Sequence, residues 1–123
     1  MINYDLSKIR AFIFDVDGVL SRQTIGLSSE GEPLRTANIR DGYAINVAVK
    51  AGFGVAIITG GNSPSVRVRY EALGVKDIYM RSSIKMIDLT DYMNKTGFRC
   101  DEIAYIGDDI PDFHVMTEVG LPV

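Results

Sequence analysis

The chain has 123 residues, room for one domain with a moderate core. Its 46% hydrophobic and 24% charged content is that of an ordinary globular protein, and a formal net charge of −3 gives no electrostatic case for nucleic acid or an acidic membrane surface. No apolar run is long enough to span a bilayer, no secretory signal is visible in MINYDLSKIR, and a single cysteine, Cys100, excludes an internal disulfide and suits a reducing cytoplasm.

The first predicted element is Ala11-Phe12-Ile13-Phe14, an apolar run too short for a helix and rich in β-preferring residues, hence a buried strand. It ends in Asp15-Val16-Asp17-Gly18. Asp is rarely buried unless it is paired or bound to a metal, and carboxylates two residues apart on an extended chain can face the same way. The stretch from Gln23 to Ile39 has another character. Two short segments, Thr24–Leu27 and Leu34–Ile39, flank Ser28-Ser29-Glu30-Gly31-Glu32, a pattern that reads as a projecting β-hairpin or as a decorated loop.

Arg40 to Ala51 places Ile45, Ala48 and Val49 at helical spacing, with Gly52 as its stop. Phe53 to Thr59 is a second buried strand, ending in Thr59-Gly60-Gly61-Asn62. Ser63 and Pro64 suit an N-cap and first turn, and the helix they open runs to Leu73, burying Val66, Tyr70 and Leu73. Asp77 to Met80 is a short third strand. Ser82 or Ser83 then caps a helix to about Thr96 with Met86, Leu89 and Met93 on one face. Ile103 to Ile106 is a fourth strand, ending in Gly107-Asp108-Asp109. Pro111 opens a short last helix that buries Phe113, Met116 and Val119, and Leu121-Pro122-Val123 begins another strand. Tyr43, Tyr70 and Tyr79 are expected in the core or an interface.

Strands alternating with amphipathic helices predict a doubly wound α/β domain with a parallel sheet. Three strands end in polar residues at one sheet edge: Asp15 with Asp17, Thr59, and Asp108 with Asp109. Lys85, in the first turn of the helix after the third strand, reaches the same edge. Clustered carboxylates repel unless a cation is present, and all-oxygen ligands favour a hard ion, so Mg2+ is the expected metal. Such an ion, a lysine, the Thr59 hydroxyl and the N–H groups of Val16, Asp17 and Gly60 form a basket for a phosphoryl dianion. A carboxylate held in line can attack phosphorus, and a second acid two residues on can handle the leaving group's proton.

The segments DVDGV, IITGG, Lys85 and GDDIPD, in this order, resemble the four motifs of haloacid-dehalogenase-superfamily phosphatases. Over nearly the whole chain, FDVDGVLS, RDGYAI, ALGVKDIYM and YIGDDIPDFHVMTEVGLPV resemble the bacterial 3-deoxy-D-manno-octulosonate 8-phosphate (Kdo 8-phosphate) phosphatases. The resemblance implies Asp15 as nucleophile and Asp17 as general acid/base. It implies the Asp15 carboxylate, the Asp17 carbonyl and the Asp108 carboxylate as Mg2+ ligands. Thr59, Gly60 and Lys85 would bind the phosphoryl group, while Asp109 and Asp112 would orient water around the ion without touching it. Arg69 matches an arginine used for the sugar acid's carboxylate.

The resemblance further implies no cap domain and a homotetramer joined through the hairpins, with substrate bound between subunits. It implies a cytoplasmic enzyme of lipopolysaccharide precursor synthesis. A sister branch acts on 2-keto-3-deoxy-nononate 9-phosphate and carries Glu and Lys where this chain has Gly61 and Ala72, which tilts the reading toward the Kdo ester. Arg81 stands where family members more often have a small residue; it either forms a surface ion pair, the reading that base rates for such pairs favour, or adds a positive charge at the rim of the site. Family members also continue for some tens of residues beyond the position of Val123, so the chain is expected to be truncated there.

Two rival classes fit parts of this pattern. A response-regulator receiver domain is also doubly wound and acidic, but it places its phosphorylated Asp after the third strand and its Lys after the fifth. A non-catalytic oligomerisation module built on the phosphatase fold would have no need of both Asp15 and Asp17.

Overall fold

In the computed structural model, which describes residues 3–123, the first predicted strand is β1 (Ala11–Phe14). It pairs in parallel with β2 (Gly54–Ile58) on one side and with β4 (Ile103–Ile106) on the other. β3 (Asp77–Tyr79) extends the sheet beyond β2, and β5 (Leu121–Pro122) extends it beyond β4. The order is β3-β2-β1-β4-β5, the doubly wound α/β arrangement the sequence predicts. Pro122 is tolerated because β5 is an edge strand. Parallel neighbours require crossovers. Helices α1 (Ile39–Lys50), α2 (Pro64–Ala72) and α3 (Lys85–Thr96) follow β1, β2 and β3, and α4 (Phe113–Glu118) lies between β4 and β5.

Successive side chains of a strand point to opposite faces, and the core divides accordingly. Ala11, Ile13, Ala56, Ile58, Ile103 and Tyr105 pack with Leu89 and Tyr92 of α3 and Val115 of α4. Val55, Ile57 and Ile78 pack with Ile45 of α1 and Val66 and Tyr70 of α2. No helix among the described residues is long and apolar enough to cross a membrane.

Several helix boundaries and faces differ from the sequence reading. α1 starts at Ile39 because Asn38 caps it, its side-chain oxygen accepting from the Asp41 N–H at 3.0 Å, so the segment after Leu34 does not stay extended through Ile39. Neither Ser82 nor Ser83 caps α3; Ile84 holds that position, and the Ser82 hydroxyl bonds the Asp88 carboxylate instead. The buried face of α3 is Lys85, Leu89 and Tyr92, with Met86 and Met93 half-buried at its flanks. α4 begins two residues after Pro111, behind a 3-10 turn at Ile110–Asp112, and this shift turns Val115 inward and leaves Phe113 71% exposed. Tyr70 is buried as expected, and Tyr43 lies outside the core, exposed on α1.

Within the 23–39 segment the pairing is one antiparallel bridge, Leu27 with Pro33. The Ser28 N–H donates to the Glu32 carbonyl at 2.8 Å, and the Leu34 N–H donates to the Gly26 carbonyl at 2.9 Å. The segment then returns to the body of the protein through Arg35.

Candidate active site

From β1 the chain proceeds to β2 and β3 on one side, then to β4 and β5 on the other. The carboxyl ends of β1 and β4 flank this reversal, which is where open α/β sheets bind ligands. Asp15 follows β1, Thr59 follows β2, Lys85 opens α3 and Asp108 follows β4. With Asp17, Gly60, Asp109 and Asp112 they line one cleft of about 710 Å3.

The loop after β1 is tight because the Val16 carbonyl accepts from the N–H groups of Val19, Leu20 and Ser21. Gly18 sits in it at φ +85°, with Asp108 directly against it: a Cβ there would lie 1.7 Å from Asp108 Oδ2. Only glycine satisfies both the left-handed backbone and this close approach. At the β2 end, the Thr59 hydroxyl accepts from the Gly61 N–H at 3.2 Å, and the Gly60 N–H has no acceptor among the described residues.

Lys85 is 5% exposed. Its ammonium lies 3.0 Å from Asp15 Oδ1 and donates to Asp112 Oδ1 at 2.6 Å. Burial of a charge at this depth requires such partners. Asp112 is fully buried, and Tyr105 also donates to its Oδ1, at 2.5 Å. The N–H groups of Asp108 and Asp109 donate to its Oδ2 at 3.2 and 3.4 Å. Burial pushes the Asp112 carboxyl up, but the bonds from Lys85 and Tyr105 and the Lys85 charge outweigh it, leaving its pKa below the usual value. Burial also pushes Asp15 up; there Lys85 opposes the shift without cancelling it. The Tyr105 hydroxyl is raised by burial and by its bond to Asp112, so it acts as a donor.

Asp17 is turned outward and partly exposed. Arg35 grips it in a fork, with Nε to Oδ1 at 2.8 Å and Nη2 to Oδ2 at 2.9 Å. That bond raises the already high pKa of the Arg35 guanidinium. Arg35 also lies over Gly61, where a Cβ would come within 2.5 Å of its Nη2.

Carboxylate oxygens of Asp15, Asp108 and Asp112 lie within 4.8 Å of one another. Both oxygens of Asp112 are occupied by donors, so Asp15 and Asp108 are the two of this trio that offer lone pairs to a cation. The cleft as a whole sets five carboxylates (Asp15, Asp17, Asp108, Asp109, Asp112) against three cations (Arg35, Arg81, Lys85). One divalent ion would make up that deficit, and an all-oxygen donor set suits Mg2+. The residues present therefore fit the metal.

The cleft thus brings together all the candidate residues read from the sequence except Arg69. Arg69 lies on the last turn of α2 and packs against Gly42 of α1, with its Nε buried and without a partner among the described residues. Arg35 and Tyr105 were not singled out in the sequence. A tyrosine in a buried strand needs a hydrogen-bond partner, which was the one available signal for Tyr105. Arg81 forms no ion pair with a carboxylate among the described residues and lines the cleft, the second of the two positions expected for it.

No family model matches the chain. It is 43% identical over 115 residues to the 3-deoxy-D-manno-octulosonate 8-phosphate phosphatase of Escherichia coli, covering 94% of this chain and 61% of that protein. The chain therefore spans about three fifths of the length of the curated relatives it matches. The cobalt-bound structure of the deoxy-D-mannose-octulosonate 8-phosphate phosphatase from Haemophilus influenzae superposes with a TM-score of 0.89 at 32% identity, over 95% of this chain and 68% of that one. The phosphatase from Moraxella catarrhalis, in complex with magnesium ion, phosphate ion and a KDO molecule, superposes with a TM-score of 0.87 at 35% identity, over 94% of this chain and 66% of that one. On the common fold, the shared residues and these likenesses, the chain belongs to the 3-deoxy-D-manno-octulosonate 8-phosphate phosphatase family of the haloacid dehalogenase superfamily.

Proposed function

We propose that the protein is a Mg2+-dependent phosphatase that cleaves Kdo 8-phosphate to Kdo and phosphate by way of an aspartyl phosphate on Asp15. The observation that carries this reading is the meeting of Asp15, Thr59, Lys85 and Asp108 in one cleft at the switch point of the sheet.

The Asp15 carboxylate attacks phosphorus as the bond to the sugar oxygen breaks, and Asp17 gives that oxygen its proton. Lys85, the Thr59 hydroxyl and the Gly60 N–H hold the phosphoryl oxygens. Asp17 then takes a proton from the water that cleaves the acyl phosphate, returning both acids to their starting states. Arg35 holds the Asp17 carboxylate by both oxygens in this structure, and that fork opens for Asp17 to carry the proton. Asp112 holds Lys85 and the 108–109 turn in place from beneath. Mg2+ would be held by the carboxylates of Asp15 and Asp108 and the Asp17 carbonyl, and would supply the charge that neutralises the clustered acids and the phosphoryl group; Asp109 would orient water beside it, whereas Asp112, buried and with both oxygens taken by protein donors, holds Lys85 and the 108–109 turn instead.

The choice of Kdo ester rests on Gly61 and Ala72, which stand where the nononate branch carries Glu and Lys. Assembly through the 23–39 segment is supported by exposed Leu27 and Leu34 and by an exposed apolar stripe on α1, namely Ile39, Tyr43 and Val47 at four-residue spacing. In such an assembly, a cytoplasmic tetramer in this reading, Arg69, which does not line its own chain's cleft, would meet substrate at a neighbouring subunit.

The test is phosphate release from Kdo 8-phosphate and 2-keto-3-deoxy-nononate 9-phosphate with Mg2+ present. Faster release from the Kdo ester, abolished in Asp15→Asn, is expected. Release from neither would overturn the reading, and preference for the nononate ester would overturn the substrate alone.

A further inference from the structure

Three cations line the cleft, and two of them are committed: Lys85 to Asp15 and Asp112, and Arg35 to Asp17. Arg81 is the third, with no carboxylate against it among the described residues. Its backbone is also unusual. Arg81 is the one non-glycine residue with positive φ among the described residues, at +54°. A residue with a Cβ is disfavoured in this left-handed region, and strained positions of this kind cluster at ligand sites.

The strained residue is well anchored. The Arg81 N–H donates to the Gly61 carbonyl at 3.0 Å, and the Ser82 N–H donates to the Thr59 carbonyl at 2.9 Å. Arg81 is therefore fastened to the Thr59–Gly61 turn that borders the phosphoryl site. Its guanidinium is steadied on one edge: with the Asn62 amide oxygen turned toward it, Nη2 and Nε donate at 2.8 and 3.2 Å. The edge formed by the two terminal nitrogens keeps its donors for a ligand, and a planar fork of this kind matches a carboxylate.

We infer that Arg81 is a specificity residue of the same chain, reading the carboxylate of a sugar-acid phosphate whose phosphoryl group lies deeper, between Lys85 and Gly60. The inference rests on the phosphatase reading above and adds to it a source of substrate selection within one chain. The strained backbone at Arg81 is kept, in this account, for the guanidinium it places at the rim.

The test compares Kdo 8-phosphate with p-nitrophenyl phosphate, which lacks a carboxylate, for the wild type, Arg81→Gly and Arg69→Ala. Losing a charged hydrogen-bonding pair in Arg81→Gly lowers selectivity for the sugar acid by about ten- to a hundredfold, with the loss in KM rather than kcat. The melting temperature holds or rises, because glycine suits the left-handed position. Equal losses on both esters would place Arg81 at the phosphoryl group and overturn the inference, as would no change on either. A selective loss in Arg69→Ala alone would assign the carboxylate to a neighbouring subunit and also overturn it. A wild type that cleaves p-nitrophenyl phosphate but not the sugar-acid ester would remove this inference and leave the phosphatase chemistry intact. Cleavage of neither ester would remove the phosphatase reading as well.

Discussion

Replacing Lys85 by methionine keeps the length and packing of the side chain and removes its charge. The ammonium now lies between two carboxylates, 3.0 Å from Asp15 and 2.6 Å from Asp112, and all three side chains are buried. Without it, two acids face each other with no counterion. Removing one partner of a buried ion pair costs about 3–5 kcal/mol. Domains carry about 0.05–0.15 kcal/mol of stability per residue, so a 123-residue chain has roughly 6–18 kcal/mol in total. At a few degrees per kcal/mol, the melting temperature of Lys85→Met falls by about 10–25 °C. The assay is a thermal melt followed by circular dichroism at neutral pH, with and without Mg2+. The ion offsets part of the lost charge, so the fall shrinks when Mg2+ is added. The double variant Lys85→Met/Asp112→Asn recovers much of the loss, because the amide oxygen can still accept from the 108–109 turn while its NH2 donates to the Tyr105 hydroxyl. A melting temperature within about 2 °C of wild type in the absence of Mg2+ would refute the reasoning, since a fall that small corresponds to under about 1 kcal/mol. A double variant less stable than Lys85→Met would refute it too.

Two further outcomes follow from the same geometry. Gly18→Ala brings a Cβ into Asp108 at a backbone φ of +85°, so Mg2+ affinity measured by calorimetry falls by about tenfold or more; unchanged affinity would mean that Asp108 does not hold the ion. Because the Asp112 carboxyl lies below its ordinary value of 3.8, its ionised form adds stability above that pH and loses it as pH falls through the lowered value. The melting temperatures of wild type and Asp112→Asn therefore converge on acidification below about pH 4, and a gap that stays constant with pH would contradict the assignment.

The parts legible in the sequence share one property: short-range pattern determined them. β1, β2 and β4 are continuous apolar runs ending in polar residues, so Asp15, Thr59 and Asp108 could be placed at one sheet edge before any coordinates. Lys85 followed because it opens a helix after a strand. Arg35 was not legible, because the 23–39 segment has no helical or strand period, and nothing local says that its side chain turns back to Asp17. On α4, Val119 is buried and Met116 packs against the core as the pattern predicts, but Val115 takes the place expected of Phe113, because Phe113 is the first residue after the 3-10 turn rather than part of a helix opened by Pro111. Arg69 shows the remaining limit: its place on α2 was readable, but the side of α2 on which its guanidinium packs is set by the contact with Gly42.

The proposed mechanism has Asp15 carry the phosphoryl group during turnover. Mass spectrometry of the protein after rapid acid quenching during cleavage of Kdo 8-phosphate with Mg2+ tests this. A peptide spanning Asp15 heavier by one phosphoryl group is expected, dependent on Mg2+ and absent in Asp15→Asn. Steady phosphate release with no such adduct, or an adduct on any other residue, would contradict it.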